Sequence, residues 1–111
     1  MKDTKNDEIM PLLQEQKKPL VPRTEDEMVK LLSRLKKIEG QVRGLQKMVE
    51  DERYCIDILV QISAVNAALK KVGMQVLKRH TTHCVADAIK KDDSEETIDE
   101  LMKTIELFLK I

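Results

Sequence analysis

Between Arg53 and Lys90 the chain carries no proline and a single glycine, Gly73, while apolar side chains return every three or four residues. Ile58, Leu59, Ile62, Val65, Leu69, Val72, Val76, Leu77, Val85 and Ile89 mark the repeat. That spacing predicts one long amphipathic helix. At 1.5 Å per residue it would extend roughly 55 Å. A chain of 111 residues cannot wrap such a rod in a core of its own. The pattern therefore predicts either a partner chain or a kink, with Gly73 as the candidate hinge.

Two further helices flank this one. Thr24, just after Pro22 and three residues before Glu27, forms a capping-box signal. Met28, Leu32, Leu35, Ile38, Val42, Leu45 and Val49 then follow at steps of three and four, and the period lapses at Glu50-Asp51-Glu52. Gly40 and Gly44 fall on one face, which predicts a close helix–helix approach there. Lys91-Asp92-Asp93 ends the central pattern, and Asp93 with Glu96, or Ser94 alone, can cap a last helix whose face is Ile98, Leu101, Ile105 and Phe108. Residues 1–23 hold all three prolines and no sustained period, so they are expected to form a mostly disordered arm, with residues 24–111 as one helical domain. The fold class is all-α with three helices. Each helix leaves a stripe uncovered, so dimers or tetramers are expected.

No apolar run reaches the length of a membrane span, and the first residues lack the apolar stretch of a secretory signal. A cytoplasmic chain is expected, where two cysteines point to metal or redox chemistry rather than a structural disulfide. The net charge is zero, but its distribution is not even. Lys30, Arg34, Lys36, Lys37, Arg43 and Lys47 face only Glu39 within residues 30–47. Lys70, Lys71, Lys78, Arg79, Lys90 and Lys91 face only Asp87 within residues 70–91, and the last twenty residues are acidic. A basic middle suits a polyanion. With Tyr54 and Phe108 as the only aromatics, single-stranded nucleic acid is a poor fit, while a flat basic face can meet duplex phosphates. No nucleophile–base arrangement or phosphate loop suggests an enzyme.

Cys55, His80, His83 and Cys84 are the cysteines and histidines of the chain. His80 and Cys84 stand at i, i+4 and share a helix face. Taken singly, a cysteine in a helical pattern is usually a small buried hydrophobe and a histidine a surface residue; the pair argues for metal or redox chemistry. Cys55 precedes His80 by 25 residues, roughly 37 Å along a helix. Three ligands on one ion then require Cys55 from another chain, as an antiparallel pair of long helices supplies, or a fold-back. Two thiolates and an imidazole suit Cu(I) or zinc; with His83 or a water as fourth ligand zinc fits, and with three ligands trigonal Cu(I) fits better. Cys55 also lies in a first helical turn, where the dipole favours a thiolate.

The stretches Arg34 to Gly44, Tyr54 to Val65 and His80 to Ile89 resemble the copper-sensing operon repressor family, CsoR-type, over about residues 25 to 110. The resemblance implies a three-helix protomer that pairs into antiparallel dimers and then tetramers. It implies Cu(I) held by Cys55 of one protomer with His80 and Cys84 of another. It implies that Tyr54 and Glu100 beside the ligands couple copper to DNA release. Family DNA-contact positions match Arg34 and Lys71, and Lys36, Lys37 and Arg43 join them as candidates from the charge pattern. The implied function is repression by the metal-free protein on double-stranded operator DNA, released by Cu(I) so that copper-homeostasis genes are expressed; a copper chaperone is a candidate metal donor. Sister branches vary the ligands. The nickel/cobalt branch has histidine at the position of Cys84, the formaldehyde branch lacks a cysteine there, and the persulfide branch lacks the histidine at 80. Two rival expectations remain: a thiol or persulfide sensor of the same fold, and a copper buffer without a DNA target.

Overall fold

The computed structural model describes residues 17–110. Residues 1–16 of the expected arm lie outside the described residues, and 17–24 form a non-helical lead-in. The regular secondary structure among the described residues is all helical, with no strand. Helix α1 spans Glu25–Glu50, α2 Cys55–Arg79, α3 Ala86–Lys90 and α4 Glu95–Leu109, with a π-helical segment, His80–Val85, between α2 and α3. Helical conformation thus persists from Cys55 to Lys90, as the apolar period predicts. Gly73 is a regular residue of α2; the irregularity falls at His80–Val85 instead. The described residues divide into two compact units, one of residues 23–79 and one of residues 80–110 with 17–22.

In the first unit α1 and α2 pair as a hairpin. Ile38 packs with Val65 and Val72, and Leu31, Leu45, Ala68 and Val76 close around them. The capping box forms as the sequence predicts: Thr24 Oγ1 accepts from the Glu27 backbone N–H at 3.2 Å, and Glu27 Oε1 accepts from the Thr24 N–H at 3.4 Å. The other Glu27 oxygen accepts from Arg79 Nε at 2.7 Å. One carboxylate therefore starts α1 and pins the last residue of α2. The Arg79 hydrogen bond, helped by those from Thr24, holds the Glu27 carboxyl below its ordinary value of 4.5. A depressed carboxyl contributes stability above its ordinary titration range and loses it as pH falls through the lowered native value. Glu27→Gln is therefore expected to lower the melting temperature by a few degrees at pH 7 and to lose less on acidification to pH 3 than the unaltered chain, measured by circular dichroism.

Gly40 and Gly44 depart from expectation. Within the protomer a Cβ at Gly40 would meet only the Arg43 guanidinium at 4.0 Å, and one at Gly44 would meet nothing within 4 Å. The α1–α2 contact runs along the other side of α1, through Ile38 and Leu45, so these glycines are not needed for it.

Both inter-helix turns use the same device. At the end of α1, the Arg53 N–H reaches Met48 O at 2.9 Å and the Glu52 N–H reaches Val49 O at 3.1 Å. At the end of α3, the Asp93 N–H reaches Ala88 O at 2.9 Å and the Asp92 N–H reaches Ile89 O at 3.1 Å. These are Schellman closures. Each puts a non-glycine residue in left-handed backbone, Glu52 at φ 52° and Asp92 at φ 55°. Glu52→Gly is expected to raise stability by about 1 kcal/mol, read from urea midpoints at constant slope. Ser94 caps α4 by position only, without the side-chain hydrogen bond the sequence allows.

Candidate metal centre and nucleic-acid interface

Cys55 opens α2 and is exposed. Tyr54, just before it, is 70% exposed and its carbonyl accepts from the Ile58 N–H at 3.2 Å, starting the helix. Arg79, 24 residues along the same helix, is roughly 36 Å away, and His80 is the next residue in the chain.

His80 and Cys84 both lie in the π-helical segment. Its wider turn, closed by i→i+5 bonds, is a recurrent feature of functional sites. With roughly 4.4 residues per turn, positions i and i+4 stay nearly in line, while i+3 swings off that line. His80 and Cys84 therefore keep a common side, and His83 turns away from it. His80 is half-buried and His83 exposed. Cys84 is 2% exposed, the most buried side chain described. Among the described residues of one chain, no three His, Cys, Asp or Glu side chains gather to hold a metal. Cys55 at one end of α2 and the pair His80 and Cys84 beyond the other are candidate soft donors, and two thiolates with an imidazole would suit Cu(I) by their chemistry.

Glu100 lies on α4, where Lys17 Nζ approaches its Oε2 at 3.3 Å. This contact spans 83 positions, and no periodicity or motif announces it. Thr104 Oγ1 donates to the Glu100 backbone oxygen at 2.8 Å.

The five candidate DNA contacts do not form one surface. All are exposed. At roughly 100° per residue, Arg34 and Lys36 stand about 160° apart around α1, whereas Lys36 and Arg43 stand about 20° apart. Arg34 lies beside the α1–α2 seam and donates from Nη1 to Gln75 Oε1 on α2. Lys71 precedes Gln75 by one helical turn and Lys37 follows Arg34 by one, so Arg34, Lys37 and Lys71 share a flank of the hairpin. Lys36 and Arg43 belong to the outer face of α1, where Arg43 stands 3.9 Å from Glu39. The opposite flank is apolar and exposed, with Met28, Leu35 and Val42 on α1 and Ile62 and Leu69 on α2.

An all-helical chain with candidate soft ligands at separate places and a segregated basic flank suits a metal-controlled DNA-binding regulator. The chain belongs to the metal-sensitive transcriptional repressor family, whose model matches residues 27–106. It is 54% identical over 93 residues to the copper-sensing transcriptional repressor CsoR of Bacillus subtilis (strain 168), spanning 84% of this chain and 92% of that one. It is 52% identical over 56 residues to the copper-sensing repressor RicR of Mycobacterium tuberculosis, spanning 50% of this chain and 58% of that one. Its fold superposes on the crystal structure of the copper-sensing repressor CsoR with Cu(I) from Geobacillus thermodenitrificans NG80-2 with a TM-score of 0.80 and 57% identity, over 85% of this chain and 98% of that one. The nickel-responsive transcriptional regulator InrS matches with a TM-score of 0.66 and 32% identity, over 78% of this chain and 97% of that one.

Proposed function

We propose that this chain is a Cu(I)-responsive transcriptional repressor. It binds double-stranded operator DNA without metal and leaves it when Cu(I) binds, so that copper-homeostasis genes are expressed. The observation that carries the reading is the divided donor set. An exposed thiol begins a 25-residue helix, and an imidazole and a buried thiol wait on one side of the π turn beyond its far end. The length of α2 favours a site built between chains, Cys55 of one protomer with the partner subunit's His80 and Cys84. The exposed apolar flank of the hairpin supports an antiparallel dimer, and the chain's further uncovered stripes a tetramer of two such dimers.

Cu(I), when bound, would be held by Cys55 of one protomer with the partner subunit's His80 and the partner subunit's Cys84, and would supply a tie between their helices. The protein's own part is to set the ligands and pass on the change. His80 keeps one ring nitrogen for the metal and can offer the other to an acceptor such as Glu100. Tyr54, next to Cys55, and Glu100 are the residues assigned to that coupling. Arg34, Lys37 and Lys71 hold duplex phosphates in the metal-free state. Among the described residues no helix is long and apolar enough to cross a membrane, and the proposed place of work is the cytoplasm, with a copper chaperone as metal donor.

Titration of the full chain with Cu(I), followed by thiolate-to-copper ultraviolet absorption in the presence of its own upstream duplex, tests the reading. Absorption and DNA release rising together are expected. Release driven by persulfide but not by Cu(I), and unaffected by His80→Ala, would establish the thiol-sensor alternative instead. Binding of Cu(I) with only weak, sequence-independent DNA affinity would establish the buffer.

A further inference from the structure

The arginines of the hairpin are not held alike. Arg79 is bonded to the Glu27 carboxylate at 2.7 Å. Arg43 stands 3.9 Å from Glu39 and Arg53 3.8 Å from Asp57. Arg34 is bonded to the side-chain oxygen of Gln75, a neutral amide. A carboxylate partner orients a guanidinium and cancels its charge. An amide partner orients it and leaves the charge whole. A guanidinium has five N–H donors in a planar fork, so one bond to Gln75 leaves the others for a bidentate anion.

The surroundings of this bond are basic. On α2, Lys71 lies four residues before Gln75 and Lys78 three after. On α1, Lys30 lies four before Arg34 and Lys37 three after. All four lysines are exposed. At the outer end of this row Lys30 stands 3.2 Å from Asp26. Steps of three and four residues space the charges by roughly one helical turn on each helix.

We propose that Gln75 is a positioning residue for DNA binding, which aims a fully charged Arg34 at a duplex phosphate shared with Lys71, and that the phosphate-binding flank extends from Lys30 to Lys78. Lys36 and Arg43, on the outer face of α1, stay off the DNA. The proposal rests on the DNA-binding reading above and adds the device that makes Arg34 effective.

Fluorescence anisotropy of the full metal-free chain on a labelled duplex of its own upstream DNA, across a series of salt concentrations, tests it. Each phosphate contact contributes close to one unit of slope in log affinity against log salt. Gln75→Glu keeps the bond to Arg34 but cancels its charge. It is expected to weaken binding at least tenfold and to lower the slope by about one, with an unchanged melting temperature. Gln75→Met, similar in length but without an acceptor, is expected to weaken binding about fivefold, and to do nothing further in an Arg34→Gln background. Lys78→Ala is expected to lower the slope by about one, and Lys36→Ala to leave it unchanged.

An unchanged affinity and slope in Gln75→Glu overturns the positioning role. So does a Gln75→Met loss that is equal with and without Arg34, because a merely structural role would survive removal of the arginine. A greater loss from Lys36→Ala than from Lys78→Ala overturns the flank. An unaltered chain that binds its upstream duplex no better than an unrelated duplex of equal length defeats the DNA-binding reading itself; intact binding with an inert Gln75 defeats the present proposal alone.

Discussion

A Cys55→Ala chain is expected to bind its operator duplex as the unaltered chain does and to stay bound when Cu(I) is added. In the unaltered chain, a coupling of about 2–3 kcal/mol would weaken operator affinity by roughly 30- to 150-fold on Cu(I) binding. In Cys55→Ala the change should be less than about twofold, measured as operator affinity with and without Cu(I). Cys55 is the clean position for this test. It is exposed in the protomer, and truncating an exposed side chain usually moves stability by no more than about 0.5 kcal/mol. Cys84 is buried beside Val85 and Ala88 in sequence, themselves buried. Its truncation would remove packing as well as a ligand, and a lost response there would have two causes. Copper-driven release that survives in Cys55→Ala would end the proposed role of this thiol.

Much of the fold was legible because it depends on local rules. The capping box at Thr24 and Glu27 and the turn at Glu50-Asp51-Glu52 follow from short-range chemistry, and both stand as expected. The hairpin core of Ile38, Val65 and Val72 lies on the apolar stripes. What was less legible depends on phase and on long-range contact. The π-helical turn left one trace. Val85 follows Val76 by nine residues, which puts them roughly half a turn out of phase on an α-helix; an added residue in a wide turn takes up part of that slip. Glycine is a weak helix former, which marks Gly73 as a candidate hinge, yet the helix accepts it without a break.

The site divides along the same line. The i, i+4 relation of His80 and Cys84 is a property of one helical segment, and sequence alone conveys it. That Arg34 and Lys36, two residues apart, belong to different faces follows from helical geometry, but which face meets α2 needed the Arg34–Gln75 bond. Lys17 beside Glu100 is a contact between distant segments, and no local pattern encodes it. It gives Glu100, the residue proposed for coupling, a cationic neighbour from the lead-in to α1.

The proposed division of the donor set between chains makes a prediction that no single variant can. If Cys55 of one protomer serves the partner subunit's His80 and Cys84, two defective chains can repair one another. A Cys55→Ala chain still offers His80 and Cys84. A chain with His80→Ala and Cys84→Ser still offers Cys55, with serine filling most of the space of the buried thiol. Each alone has no complete site and is expected to show no thiolate-to-copper absorption of the three-ligand kind. Unfolded, mixed in equal amounts and refolded, they should pair at random, so that about half of the dimers carry one chain of each. Each mixed dimer has one complete site and one empty one, giving about one tightly bound Cu(I) per four chains, against one per chain in the unaltered protein. A site closed within a single chain allows no such recovery, because neither defective chain can complete its own set. Absorption that fails to return on mixing, with mixed dimers demonstrated by mass spectrometry, would therefore place all three ligands in one protomer, and the 25-residue length of α2 would have to be broken to bring them together.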